Sequence, residues 1–273
     1  MHTAPPPSLP GPTQAAGTQS QRPASPGRRV VDAPTRMLHA LIAISFAGAY
    51  LTAEGERWRA LHVSLGYLLG GLLLARIAYG LVGPRQARVV LWFRKLAAAP
   101  AWLRASASAL ASGSRNIVGW RQGQNLLMAV LIALLPLLLV PLLLSGLAPH
   151  LEWVQGGLAD ALSELHEALG EATLAVVLAH IGAVVALSLI RRQNQARTML
   201  SGRVPGAGPD LARRNHGLLA LLILAAAVGF LAWQVQSTPQ GLWPSGISAG
   251  ADDPGRGASA SAGRARHRDD DDD

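Results

Sequence analysis

Three long stretches of this chain carry no Asp, Glu, Lys or Arg, and they constrain the fold more than any other feature. They comprise residues 37–53, 122–151 and 172–190, which are 17, 30 and 19 residues long. One helical crossing of a bilayer needs about 20 apolar residues. The sequence therefore excludes a purely soluble fold. Because the stretches are rich in Leu and Ala and do not alternate with period two, they predict helices rather than barrel strands.

Five membrane-spanning helices are predicted between two polar tails. The expected spans cover about 34–53, 60–82, 125–147, 162–190 and 216–236. Residues 1–27 and 238–273 are rich in small and polar residues, and the second tail ends in five Asp, so both tails are expected to be disordered. Segment 97–120 is expected to form an interfacial or loop helix. The predicted fold class is an all-α integral membrane protein, with a four-helix transmembrane bundle and a fifth transmembrane helix within 205–237.

Basic residues are distributed unevenly between the predicted loops. The chain has 24 basic and 16 acidic residues, a surplus that in a soluble protein would suggest a nucleic-acid partner. The link between the second and third spans contains seven basic residues and no acidic one, whereas 148–165 contains three acidic residues and no Lys or Arg. Cytoplasmic loops of membrane proteins collect Lys and Arg. The N-terminus is therefore predicted in the cytoplasm and the C-terminus in the periplasm, with no nucleic acid bound.

Four histidines lie inside or at the ends of the predicted spans, where an ionisable residue suggests function. They are His39, His62, His166 and His180. The last two are 14 residues apart on one helix, which places them on the same face and about 21 Å apart along the axis. The alternating directions of the spans put His62 at the depth of His166 and His39 at the depth of His180. The sequence thus predicts two imidazole pairs, each from two helices.

Two stacked bis-imidazole sites suit two noncovalent b-type haems, since such a haem needs nitrogen ligands and a wide apolar slot. Zinc usually takes more ligands at each site, with acidic or thiolate partners. A proton relay would need acidic residues in the apolar cores of the spans, which have essentially none. The chain has no cysteine, which excludes c-type haem attachment and cysteine-ligated iron–sulfur clusters. For each histidine taken alone, a hydrogen bond to a neighbouring helix explains it equally well.

Three further residues are candidates for contact with the cofactor. Gly66, one turn after His62, would let a porphyrin approach the helix, although close helix packing is an equal alternative. Arg36, three residues before His39, would suit a haem propionate or would simply flank the span on its cytoplasmic side. Arg76 lies within the second span, 14 residues after His62, at the predicted depth of the inner haem. The alternative for Arg76 is snorkelling to the membrane surface.

These residues occur in motifs that resemble those of the bacterial cytochrome b561 family, which includes the cytochrome b subunits of nickel–iron hydrogenases. The motifs are V-D-A-P-T-R-M-L-H at 31–39, L-H-V-S-L-G-Y at 61–67, R-I-A-Y-G-L-V-G-P-R-Q-A-R at 76–88, L-H-E-A-L-G at 165–170, A-H-I-G at 179–182 and R-R-Q-N-Q-A-R-T-M-L-S-G-R at 191–203. The resemblance covers about 30–204, within a domain at 28–204, and implies a four-helix core in which the same four histidines ligate two b haems. Family members often show G-H-N-P before the third span, where this chain has G-Q-N-L at 123–126.

The resemblance implies a membrane dihaem b-type cytochrome of the bacterial inner membrane. It would transfer electrons between the quinone pool and a partner redox protein in a respiratory chain, with quinone as a further ligand. The partner stays open between a c-type cytochrome and a hydrogenase or dehydrogenase subunit. The alternative from another class is a haem-free membrane transporter or structural membrane subunit. Four histidines in register argue against that alternative.

Overall fold

The computed structural model describes residues 27–84, 96–112, 119–206, 208–212 and 214–237, and these are almost entirely helical. The helices are α1 (Ala33–Leu51), α2 (Arg59–Val82), α3 (Ala99–Ala111), α4 (Trp120–His150), α5 (Gly157–Arg191), α6 (Ala196–Ser201) and α7 (Gly217–Ser237). A 3₁₀ turn, Glu56–Trp58, precedes α2, and two short strands, β1 (Arg28–Arg29) and β2 (Arg203–Val204), pair antiparallel. The predicted all-α membrane architecture is confirmed. Apart from residue 27, the two predicted tails lie outside the described residues.

Four segments of the described chain are long and apolar enough to cross a membrane. They are Glu56–Val82, Trp120–His150, Gly157–Arg191 and Gly217–Ser237, and they contain four of the five predicted spans. Helix α1 is not among them, since polar residues that include Arg36 and His39 occupy its first two turns. A membrane crossing by α1 therefore stays a prediction.

Within segment 97–120, the expected helix is observed as α3, and residues 113–118 lie outside the described part.

Helix α1 begins at a strong start signal. The side chain of Asp32 accepts a hydrogen bond from the backbone N–H of Thr35 at 3.3 Å, which caps the helix. Pro34 stands in the first turn, where no helical N–H is needed. The N–H of Ala33 also donates to the carbonyl of Asn215 at 3.1 Å. This bond joins the start of α1 to the segment that leads into α7.

The helices form two hairpins and one additional helix. Helix α1 pairs with α2 and α4 pairs with α5, and the two hairpins meet through α2 and α4. Their interface contains an apolar cluster of Phe46, Leu69, Leu73, Leu139 and Leu142. Helix α7 packs on the first hairpin in a second cluster, formed by Leu38, Leu68, Leu72 and Ala227. Helix α5 makes few close backbone approaches to α1 or α2, and it meets the first hairpin through side chains that pack against the first cluster, namely Leu169, Leu174 and Val177.

The direction of α7 follows from its contacts at both ends. Its start lies beside the start of α1, through the bond between Ala33 and Asn215. Near its end, the Nε2 of Gln234 donates to the Oγ of Ser64 at 3.2 Å, and Ser64 lies in the first part of α2. Helix α7 therefore runs parallel to α1. This is the direction that the loop charges predict for a fifth span.

A small cap closes the end of the bundle at which α1 and α7 begin. Strands β1 and β2 pair Arg28 with Val204 and Arg29 with Arg203. The N–H of Arg29 donates to the Oδ1 of Asp210 at 2.6 Å. The carbonyl of Arg29 accepts from the backbone N–H groups of the two residues that follow Asp210. The cap thus joins the segment before α1 to the connection between α5 and α7.

Candidate functional site

His62 on α2 and His166 on α5 lie side by side. We call them the outer pair, after the side on which the loop charges predict them, and His39 and His180 the inner pair. The ring centres of the outer pair are 6.1 Å apart and the ring planes cross at 82°. With metal–nitrogen bonds of about 2.0 Å and about 1.1 Å from each nitrogen to its ring centre, two imidazoles on opposite sides of one metal have centres about 6.2 Å apart. The outer pair therefore has the spacing of two axial ligands.

A backbone carbonyl orients each imidazole of the outer pair. The Nδ1 of His62 lies 2.8 Å from the carbonyl oxygen of Ala49, and the Nδ1 of His166 lies 2.8 Å from that of Leu142. A carbonyl oxygen can only accept, so each Nδ1 carries the proton and each Nε2 keeps a free lone pair. Metal-binding histidines are usually held in this way. The two rings are therefore oriented and protonated as ligands through Nε2.

Gly146 makes room for His166, and the sequence reasoning missed it. A Cβ at position 146 would lie 2.6 Å from the Cε1 and 2.7 Å from the Nδ1 of His166, which is closer than such atoms approach. Only glycine lets the α4 backbone lie against this ring. A signal was present in the sequence, since Gly146 interrupts a Leu-rich span directly after Ser145. The neighbouring Ser145 has its Oγ 3.5 Å from the same Nδ1.

The inner pair lies deeper along α5 and is less firmly held. His39 and His180 are close enough for a charge on one to act on the other. The Nδ1 of His180 is buried and has no hydrogen-bond partner among the described residues. Buried polar atoms of this kind are rare in proteins. No hydrogen bond from the described residues to Nδ1 fixes the tautomer of His180. A metal ion bound to this nitrogen would give it a partner.

Open space lies beside two glycines near the histidines. A Cβ placed on Gly66 or on Gly182 would have no other described atom within 4 Å, apart from its own helix backbone and chain neighbours. Among the described residues, no atom of a neighbouring helix lies within 4 Å of a Cβ at Gly66, which gives no support to close helix packing at this glycine. The free space supports the other explanation, the approach of a flat cofactor, which stays a prediction.

The two arginines predicted near the inner haem have different surroundings. The Nη1 of Arg36 donates to the carbonyl of Leu200 at 2.7 Å, which ties α1 to the cap. A propionate contact of Arg36 stays a prediction. Arg76 is half-buried in α2, within electrostatic range of His39 and of Asp32. Arg76 therefore lies near His39 of the inner pair, and its contact with a haem stays a prediction.

Asp32 is a buried acid that the sequence reasoning did not count, because it precedes the first span. Its residue is only 1% exposed. One carboxylate oxygen accepts from the N–H of Thr35, and the other accepts from the hydroxyl of Tyr79 at 2.5 Å. Arg76 adds a nearby positive charge. The detectable signal was an Asp directly before the helix start, a common capping residue.

Gln124 stands where family members often have a histidine, and it is buried. Its Oε1 accepts two hydrogen bonds from Arg191, from Nε at 3.0 Å and from Nη2 at 2.8 Å. The same Nη2 also donates to the Oδ1 of Asn125 at 3.1 Å. These bonds join the start of α4 to the end of α5. Gln124 therefore has a structural role in this chain.

Two imidazoles without further acidic ligands favour haem over a bare metal ion. Within the described ranges, no three His, Asp or Glu side chains are grouped closely enough to hold a metal ion. Zinc usually needs three or four protein ligands, whereas haem iron takes four nitrogens from the porphyrin and needs two axial ligands from the protein. The donor set of the outer pair fits a b-type haem.

One family model matches residues 30–202 of the chain and is described as prokaryotic cytochrome b561. No curated protein and no solved structure matches the chain significantly. The matched region spans more than half of the chain and runs from the residue after β1 to the residue after α6. It includes all four paired histidines.

Proposed function

This chain belongs to the prokaryotic cytochrome b561 family of membrane electron-transfer proteins that bind haem b, and from that premise we propose a dihaem cytochrome b. It would pass electrons between the quinone pool and a partner redox protein. The outer pair, His62 and His166, would hold one haem, and the inner pair, His39 and His180, the other. When bound, each haem supplies one-electron chemistry at its own depth in the membrane.

The geometry of the outer pair is the observation that carries this proposal. Its ring centres are 6.1 Å apart. Each Nδ1 is held by a backbone carbonyl from the other helix of its own hairpin. A pair of core histidines satisfied by ordinary hydrogen bonds has no reason to lie with the ring centres at the separation expected for two axial ligands. The structure therefore supports metal ligation better than a purely structural role.

The continuity of α5 supports two haems rather than one. The helix runs without a break from Gly157 to Arg191, so the 14-residue step from His166 to His180 is about 21 Å along its axis. One haem cannot use both residues. Two haems at these levels would let electrons cross most of the bilayer in two steps.

The inner end is the better place for a quinone. Arg76, a hydrogen-bond donor, lies within electrostatic range of His39, and a quinone head group needs donors for its oxygens. The partner would be a c-type cytochrome or a hydrogenase or dehydrogenase subunit. We place the protein in the bacterial inner membrane, with the N-terminus in the cytoplasm and the C-terminus in the periplasm, because of the loop charges.

Haem content and its dependence on the outer pair test the proposal. Purified protein should show a reduced-minus-oxidised b-type spectrum and two haems per chain. In His62→Ala and in His166→Ala the content should fall toward one, because a single imidazole and an apolar slot hold haem weakly. His150→Ala is the matched control, since His150 lies at the outer end of α4 against Tyr67 and not in a pair, and it should keep two haems.

Two outcomes would contradict the proposal in different ways. Unchanged haem content in both paired variants would reject the assigned ligands. A parent protein that contains no haem after expression with sufficient haem supply would favour the alternative, a haem-free membrane transporter or structural subunit.

A further inference from the structure

A polar cluster around the buried Asp32 lies at the inner end of the bundle, between the start of α1 and the last turns of α2. It consists of Asp32, Tyr79 and Arg76. Tyr79, which bonds Asp32, stands three residues after Arg76 on α2, and Asp32 caps the helix that carries His39. The cluster therefore lies near His39, and the charge of Arg76 acts on both Asp32 and His39. A negative and a positive side chain therefore stand together beside one ligand of the proposed inner haem.

The surroundings of Asp32 suit a carboxylate. Its two oxygens accept from the backbone N–H of Thr35 and the hydroxyl of Tyr79. Both of these partners are donors, and the nearby guanidinium of Arg76 is a cation. Burying a charged group is costly unless it is hydrogen-bonded and paired. This set of partners compensates the charge of Asp32 and, in return, Asp32 compensates the half-buried Arg76.

We infer that Asp32 is a positioning residue that holds Arg76 and sets the electrostatic potential at the inner haem. This inference rests on the proposed function, because it requires haem on His39 and His180. Reduction adds a negative charge to the haem. A nearby guanidinium therefore favours the reduced form and a nearby carboxylate opposes it. Asp32 thus lowers a redox potential that Arg76 raises, and the two effects partly cancel.

Asp32→Asn tests this with little structural change, because Asn caps a helix as well as Asp does. Its amide oxygen can accept from the N–H of Thr35 while its NH2 group donates to the hydroxyl oxygen of Tyr79. At a fixed ambient potential, the reduced-to-oxidised ratio of the inner haem should rise about tenfold, which is about 59 mV for a one-electron couple. Arg76→Leu should lower the ratio. The double variant should lie between the two single variants, close to the parent protein.

The measurement is a spectroscopic redox titration of the purified holoprotein. The inner haem is the titrating component that disappears in His180→Ala. Asp210→Asn is the matched control, since it makes the same chemical change at an exposed carboxylate in the cap and should leave both components unchanged. Tyr79→Phe removes the hydrogen bond but no charge, so it should shift the inner component less than Asp32→Asn does.

The outcomes separate the inference from the proposed function. Asp32→Asn with both haems and an unchanged inner component would overturn the inference alone, as would single variants that shift in the same direction. If Asp32→Asn lost the inner haem, adding Arg76→Leu should restore it, because the uncompensated guanidinium is then gone. Failure of that restoration would also overturn the inference. A parent protein without haem would instead reject the proposed function.

Discussion

Replacing Gly146 with Ala should weaken the outer haem selectively. The new Cβ would lie 2.6 Å from the Cε1 of His166, whereas ordinary contacts begin at 3.4 Å. The ring or the α4 backbone must therefore move by about 0.8 Å, and functional metal geometry tolerates only about 0.2 Å. Adding a methyl group to a packed interior costs about 1–3 kcal/mol. At 1.4 kcal/mol for each factor of ten, the outer haem should bind about 5- to 150-fold more weakly.

The same substitution should not destabilise the helix itself. Alanine is favoured over glycine within a helix by about 0.5–1 kcal/mol, so any loss of haem cannot be attributed to the propensity of α4. The assay is the rate at which excess apomyoglobin extracts haem from the purified holoprotein, followed by absorbance. Two kinetic components are expected, and only the component that is also lost in His62→Ala should accelerate.

Gly229→Ala provides the matched control. Gly229 lies within α7, and a Cβ there would meet no other described atom within 4 Å, apart from its own helix backbone and chain neighbours, so both extraction rates should stay as in the parent. A Gly146→Ala protein that kept both haems with parental extraction rates would refute the reasoning, since it would mean that His166 does not ligate haem in the observed position.

Three further predictions concern the bundle and its topology. Gln124→Ala removes the acceptor of two hydrogen bonds from Arg191 and should destabilise the protein by about 1.5–3 kcal/mol, measured as a lower denaturation midpoint. An unchanged midpoint would show that these bonds between α4 and α5 do not stabilise the protein. Gln234→Ala removes the bond to Ser64 and should cost about 0.5–1.5 kcal/mol without altering the haem spectrum, whereas loss of haem would show that α7 supports the outer site. An alkaline phosphatase fused after Asp273 should be active, since this reporter folds only outside the cytoplasm; an inactive, stably produced fusion would contradict five spans.

Much of the fold could be predicted from the sequence because membrane helices are specified locally. A bilayer offers no hydrogen-bond partners, so a long uncharged segment must satisfy its backbone within itself. The uncharged stretch at 122–151 accordingly lies in α4, apart from Leu151, and the stretch at 172–190 lies in α5. The spacing of His166 and His180 on one face is equally local, since it depends only on the helical period. Helix α1 is the exception. Because its first turns are polar, its hydropathy does not show whether it crosses the membrane.

The details that make the histidines into candidate ligands depend on contacts between distant segments, and only the tertiary structure decided them. The carbonyl that orients His166 belongs to Leu142, 24 residues earlier on another helix, and Tyr79 reaches Asp32 across 47 residues. In the sequence, nothing distinguishes Gly146 from the other glycines as a neighbour of His166. Its contact with that ring exists only because α4 packs against α5. Composition and periodicity predict where each helix lies in the sequence and which residues share one of its faces, but not which helix it contacts. The rotation and depth at which helices meet follow from the packing of all their side chains at once, and that information is not local.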